Sequence, residues 1–277
     1  MRLQMLLLAA GAALTAGAAQ AASVEIRDAV ARVTVVPENR SDVRVEVVSP
    51  HAQLPIQVRT EGSRTIVDGG LRKRIRDCDR DQDKGRVRVQ DVGDVRWDEV
   101  PRIVIRTPRD VAVSANGAVA GEIGRSGSLQ LSNSGCSHWT VADVAGAATI
   151  RESGAGSVRM GAADWLVVHL SGAGSVRAGR VRQGMDAHLS GAGGVNVQEF
   201  SGPMDASVSG VGKVKVASGR ATLLRANVSG VGGVDFDGVA DSLDASISGL
   251  GGVRVKSVTG DVRKSVSGIG RVSIGDR

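Results

Sequence analysis

Ser171-Gly172-Ala173-Gly174-Ser175-Val176 is followed 19 residues later by Ser190-Gly191-Ala192-Gly193-Gly194-Val195. The same phrase opens at Ser153, Ser209, Ser229, Ser248 and Ser267. From Ser153 to Ser267 the successive intervals are 18, 19, 19, 20, 19 and 19 residues. Ser134-Gly135-Cys136 is a decayed copy 19 residues ahead of Ser153. A period this regular marks a stacked repeat architecture. It says little about activity.

Aligned on their Ser-Gly, the copies sort into columns by polarity. The fifth residue after each Ser is Val158, Val176, Val195, Val214, Val234, Val253 or Val272. Two positions on stands Met160, Ala178, Val197, Val216, Phe236, Val255 or Ile274, with a mostly polar residue between. That alternation is the period of a strand with one buried face. Leu170, Leu189, Val208, Val228, Ile247 and Val266 form a second apolar column, and Leu166, Met185, Met204, Leu224, Leu243 and Val262 another. A further side is marked by Val181, Phe200, Val239 and Val258. Helix is excluded, because each of the recurring glycines costs ~1 kcal/mol against Ala in a helix. An antiparallel meander would not repeat the same inward columns at one period.

The fold class is therefore all-β, a parallel β-helix (β-solenoid) of ~19-residue coils. Eight coils at ~4.8 Å make a rod of roughly 35–40 Å, and the crossover rule favours a right-handed coil. Glycine is expected at the corners because it accepts positive φ. The Ser column is expected to bond backbone groups there. A nucleophile is needed once, not in every coil.

Residues 1–21 read as a secretory signal peptide, with Arg2, an apolar run over 6–14 and the small-residue box Ala19-Gln20-Ala21. The remainder, 22–277, reads as one β domain without a transmembrane segment. Residues 22–113 show strand alternation without the phrase and read as an N-terminal cap, which a solenoid's open first coil needs. Residues 114–277 carry the coils. Between 71 and 86 the strand signal stops. Arg72-Lys73-Arg74-Ile75-Arg76-Asp77-Cys78-Asp79-Arg80-Asp81-Gln82-Asp83-Lys84 reads as an exposed charged loop. Its alternate Asp residues resemble a calcium loop, but no closing Glu follows and bases intervene.

The layout resembles the bacterial GIN domain, an adhesin head domain of unknown function. The resemblance rests on an opening strand pair, an extended stretch ending at Pro101-Arg102-Ile103-Val104-Ile105-Arg106-Thr107-Pro108, and the run of Ser-Gly-x-Gly coils. It covers nearly all of the chain after residue 21. It implies a binding role at the cell surface and brings no catalytic residue. No translocator barrel is expected beyond the last coil.

Several constellations bear on chemistry. Cys78 and Cys136 are the only cysteines, and an exported chain favours a disulfide between them. His169 and His188 share one column, as a polar ladder rather than a metal site; no metal or cofactor is expected. Asp186 and Asp205 fall ~5 Å apart in adjacent coils, near the spacing of a retaining glycosidase pair, but their column alternates in sign. The column after the invariant Val supplies Arg159, Arg177, Lys215 and Arg254, a mostly basic stripe and the leading candidate binding surface.

The chain carries 35 Lys and Arg against 29 Asp and Glu, a net charge of +6. That balance suits an acidic glycan, lipopolysaccharide or an envelope protein as partner. Nucleic acid is disfavoured: there is no Tyr and only three Trp and two Phe to stack bases. The expectation is an exported, non-enzymatic protein of the periplasm or cell surface, with assembly through an open C-terminal coil as an option. The alternative is a carbohydrate-active hydrolase or lyase on the same scaffold.

Overall fold

A computed structural model describes residues 22–79 and 85–275. The segment 1–21, read from the sequence as a signal peptide, the centre of the charged stretch, 80–84, and residues 276–277 lie outside the described residues. The described chain is a parallel β-solenoid of about nine turns at the ~19-residue spacing. The invariant valines form one row. Val158 pairs with Val176, Val176 with Val195, Val195 with Val214, and so on through Val234 and Val253 to Val272. Every member from Val158 to Val253 is at most 1 % exposed. Stacking at a fixed period turns each sequence column into an axial row, and the rows close around one continuous core.

The rows continue toward the N-terminus. Trp139 sits under Val158, and Gly121 lies opposite Trp139 because a Cβ there would enter the indole ring. The long strand Ser23–Glu38 pairs with Asp110–Ile123 on one side. On its other side it pairs with Arg64–Asp68 and Arg102–Pro108. Parallel stacking thus begins at Ser23, well ahead of residue 114. Arg44–Ser49 and Gln57–Glu61 then run antiparallel along Arg102–Pro108 and Arg64–Asp68. These two strands are the cap proper. They cover the edge that the first coil would otherwise leave unpaired.

Three details differ from the expectations. First, the charged stretch is not simply a loop. Arg72–Arg74 is a single 3₁₀ turn, and Ile75–Cys78 is a strand that pairs with Arg86–Val89, which in turn pairs with Gly93–Arg96. This small sheet packs Leu71, Val87, Val89 and Trp97 against Val30, Ala118 and Ala120 on the flank of the first coils. Ile75 and Cys78 turn toward that second core while Arg76 and Asp77 face water.

Second, the corner glycines do not adopt positive φ. Close approach is their reason. A Cβ on Gly172, Gly191 or Gly210 would strike the carbonyl oxygen of the corner glycine one coil earlier. The second corner glycine is constrained likewise: a Cβ on Gly232 would meet Val208 Cγ1 at 2.7 Å, beneath the corner. Third, the row begun by Val181 and Phe200 does not continue to Val239. Phe200 pairs with Gly219, and the buried positions pass to Ala221 and Ala240. The 20-residue interval between Ser209 and Ser229 absorbs that shift. Phe236 then packs edge-on against Phe200, with ring centroids 6.1 Å apart.

Candidate functional site: an axial polar groove

Either side of the buried Leu170 row stand two outward polar rows. One runs Arg151, His169, His188, Ser207, Asn227, Ser246 in register. The other is the Ser of each corner, including Ser171, Ser190, Ser209, Ser229 and Ser248. Between them lies a shallow groove along the rod axis. Its C-terminal part encloses about 340 Å³, floored by Leu170, Leu189, Val208 and Val228. Its N-terminal part, about 620 Å³, reaches Arg27 and Asp28 of the first long strand, and the two parts meet at His169 and Ser171. Sequence reasoning treated these rows as structural ladders and missed the groove. The signal was present as two polar columns flanking one apolar column.

The groove is mostly uncharged along its C-terminal part. The His169 and His188 rings stack 5.2 Å apart with a 10° interplanar angle. Burial, then the neighbouring His188 and Arg151, hold His169 below the ordinary imidazole range, with Asp186 opposing. Corner hydroxyls donate back to the preceding coil, as Ser209 Oγ does to the Leu189 carbonyl at 3.4 Å and Ser153 Oγ to the Asn133 carbonyl at 3.4 Å. Each such hydroxyl still has acceptor capacity once its proton is donated.

At the N-terminal end the apolar row turns polar. Where later coils place Leu or Val, these coils place Asn133 and Glu152, 2 % and 1 % exposed. Asn133 Nδ2 donates to Glu152 Oε2 at 2.6 Å, and the Gly154 N–H donates to Oε1 at 2.9 Å. Burial pushes the Glu152 carboxyl above the ordinary carboxylate range, against opposing hydrogen bonds from Asn133 and from the Gly154 and Gly156 backbone. Asn133 Oδ1 is buried without a partner. The decayed corner Ser134-Gly135-Cys136 lies between these residues, so the pair fills the place where the regular Gly-x-Gly phrase is lost.

The residues singled out in the sequence fall as follows. Arg159 and Arg177 are exposed neighbours in one row, Asn196 interrupts it, and Lys215 follows. Asp235 then stands between Lys215 and Arg254. It binds Lys213 at 2.6 Å and Arg254 at 3.5 Å, and Arg254 also meets Asp237 at 3.3 Å. The stripe is therefore strongest at Arg159 and Arg177 and is neutralised toward Arg254.

Asp186 and Asp205 are adjacent in register. Asp186 accepts the Trp165 indole N–H at 3.1 Å, and Asp205 pairs with Arg225 at 3.3 Å. Similar axial pairs, such as Arg180 with Glu199 at 2.6 Å, run along the exposed faces; each contributes about 0–1 kcal/mol. Cys78 and Cys136 are joined in a disulfide, with Cα atoms 6.3 Å apart, which ties the small sheet to the decayed corner. Among the described residues no group of three or more His, Cys, Asp or Glu could hold a metal. Among them, too, no helix is long and apolar enough to cross a membrane.

The geometry defines a class: an all-β parallel solenoid with an antiparallel cap, a docked small sheet and one long axial groove. No family model matches the chain, and no curated protein or solved structure is significantly similar to it.

Proposed function

We propose that this chain is an exported, GIN-domain-like protein of the bacterial envelope that binds an elongated glycan along the axial groove, without catalysis and without a cofactor. The observation that carries the reading is the repetition of hydroxyl, amide and imidazole groups along one straight groove. The coil pitch, ~4.8 Å, is close to the length of one pyranose residue, so successive sugars would meet equivalent hydrogen-bonding groups. At the cap end Arg27 is held by Glu25 at 2.6 Å, and Arg151 is the base that suits an acidic substituent. Acidic polysaccharide and the glycan of lipopolysaccharide are the partners of this chemistry; an envelope protein carrying such a glycan is the third.

The test is a glycan array followed by calorimetry on the chain from residue 22. Ser209→Tyr and Asn227→Phe obstruct the groove and should abolish binding. Changing Arg151 to Ser should leave neutral glycans bound and weaken only acidic ones, whereas changing Arg159 and Arg177, which do not line the groove, to Ser should alter neither. Retention of no glycan, or loss only with the Arg159 and Arg177 changes, overturns the groove reading. Depolymerisation of a bound glycan would instead support a carbohydrate-active enzyme.

A further inference from the structure

The residue between the two corner glycines points out of the rod at its tip. In successive coils it is Ala155, Ala173, Ala192, Val211, Val231, Leu250 and Ile269. The last four are 66 %, 59 %, 60 % and 86 % exposed. Nothing in the fold asks for size there, since three earlier coils turn the same corner with Ala. These corners are in register: the Val211 N–H donates to the Gly191 carbonyl, that of Val231 to Gly210 and that of Leu250 to Gly230, each at 3.1 Å. Four large apolar side chains therefore form one straight ridge, ~14 Å long at the coil pitch. The corner serines separate it from the groove. On its other flank a depression that Val211, Val231 and Leu250 also line holds Lys213, Arg254 and Arg271 around Asp235, which pairs with Lys213 and Arg254, so this flank keeps a net positive charge through Arg271. Residues 209–275 carry nine Lys and Arg against five Asp and Glu, a balance of +4.

We infer that this ridge, with its basic flank, is a docking edge for an anionic lipid surface. A contiguous row of exposed large apolar side chains marks an interaction site rather than ordinary surface. Weak apolar insertion combined with a cationic patch is the pairing that gives stable membrane attachment where either alone is marginal. A flat bilayer suits a straight projecting row, which has no pocket shape to complement. A second copy of the chain suits it poorly. A stable interface buries ~800 Å² on each partner, far more than one row of four side chains provides, and two basic flanks would repel. The inference is independent of the groove and stands if no glycan binds there.

The experiment is flotation of residues 22–277, the span that contains the whole solenoid. Vesicles of phosphatidylcholine alone are compared with phosphatidylcholine mixed with phosphatidylglycerol. The parent should float with the anionic vesicles and not with the neutral ones, less so at high salt. V211A/V231A/L250A/I269A copies the Ala corners of earlier coils and should lower binding by about tenfold or more, given ~0.8 kcal/mol per buried CH₂. The reverse variant A155V/A173V/A192L lengthens the ridge and should raise binding, which keeps the test informative if the first variant fails to fold. Absence of flotation for the parent, or equal flotation of parent and both variants, overturns the inference. So does a self-association, seen by sedimentation velocity, that the quadruple change abolishes while lipid binding persists.

Discussion

The buried pair of Asn133 and Glu152 should behave as one energetic unit, and a double-mutant cycle tests this. Asn133→Ala leaves an inward carboxyl with one donor fewer; a hydrogen bond to a charged group is worth about 1.5–3 kcal/mol. Glu152→Leu supplies the residue type found at Leu170 and Leu189 in the same row, but strands the Asn133 amide, at about 1–3 kcal/mol for an unsatisfied buried group. Combining Asn133→Ala with Glu152→Leu makes the row apolar without interruption from Ala115 to Leu170. The double change should cost less than the sum of the single changes by about 1–3 kcal/mol. Urea unfolding followed by circular dichroism and by Trp emission reads this, because Trp139 lies buried in the adjoining coil.

A pH arm sharpens the test. Burial raises the Glu152 carboxyl in the folded chain, so the folded state holds that proton more tightly than the unfolded state. Its contribution is greatest below the unfolded value of about 4.3, and it is lost as pH rises through the folded value. Glu152→Gln removes that slope. The new amide can donate to Asn133 Oδ1 once the Asn133 amide turns over, which keeps one hydrogen bond in the pair, and the neutral amide avoids the desolvation cost that raises the Glu152 carboxyl. The variant should therefore be at least as stable as the parent at neutral pH. Coupling below about 0.5 kcal/mol, or an unchanged pH slope in Glu152→Gln, refutes the reasoning.

Other outcomes follow from the same geometry. Gly191→Ala drives a Cβ into the Gly172 carbonyl and should cost about 1–3 kcal/mol, whereas Ala192→Gly at the exposed tip should stay within about 0.5 kcal/mol; thermal melts of the two compare them, and equal melts contradict the close-approach account. Replacing Cys78 and Cys136 by Ser opens a crosslink spanning 58 residues, worth about 4 kcal/mol in the chain-entropy picture. Limited proteolysis should then cut within 71–100 while the later coils resist; uniform digestion would argue against a locally tethered small sheet. His188→Ser, which copies Ser207 in the same row, removes one of the influences holding His169 low. An NMR titration should find the His169 midpoint moved upward, and an unmoved midpoint would leave burial and Arg151 as the causes.

Architecture was the legible part of this sequence. Seven valines at one period could hardly stack any other way, and the structure places them in a single row. Less legible was why the corners need glycine. Sequence shows only that Gly172 and Gly191 recur; the collision with a carbonyl one coil away is a three-dimensional fact. The small sheet was hidden because, among the described residues of the charge-dense stretch, only Ile75 and Cys78 turn toward its core. In the candidate site, the columns were visible but not their relation. That His188 and Ser190 flank a floor at Leu189, and so bound a groove, follows from alternation once the coils are stacked. Asn133 and Glu152 could have been noticed as polar intruders in an apolar column. Their mutual hydrogen bond could not, because the decayed corner between them obscured the register.

The placement of the first strand bears on how the molecule acquires its shape. Ser23–Glu38 is sandwiched between Arg64–Asp68 with Arg102–Pro108 on one side and Asp110–Ile123 on the other. This strand must therefore wait for partners that emerge up to about a hundred residues later. Long loops must close before any of that pairing is rewarded, which makes the step slow. Once it is complete, each later coil needs only the template directly beneath it and can zip on in turn. Maturation should thus have one rate-setting nucleus at the amino-terminal end. Lesions there would delay the entire chain, while those in the last coils would only shorten the finished stack.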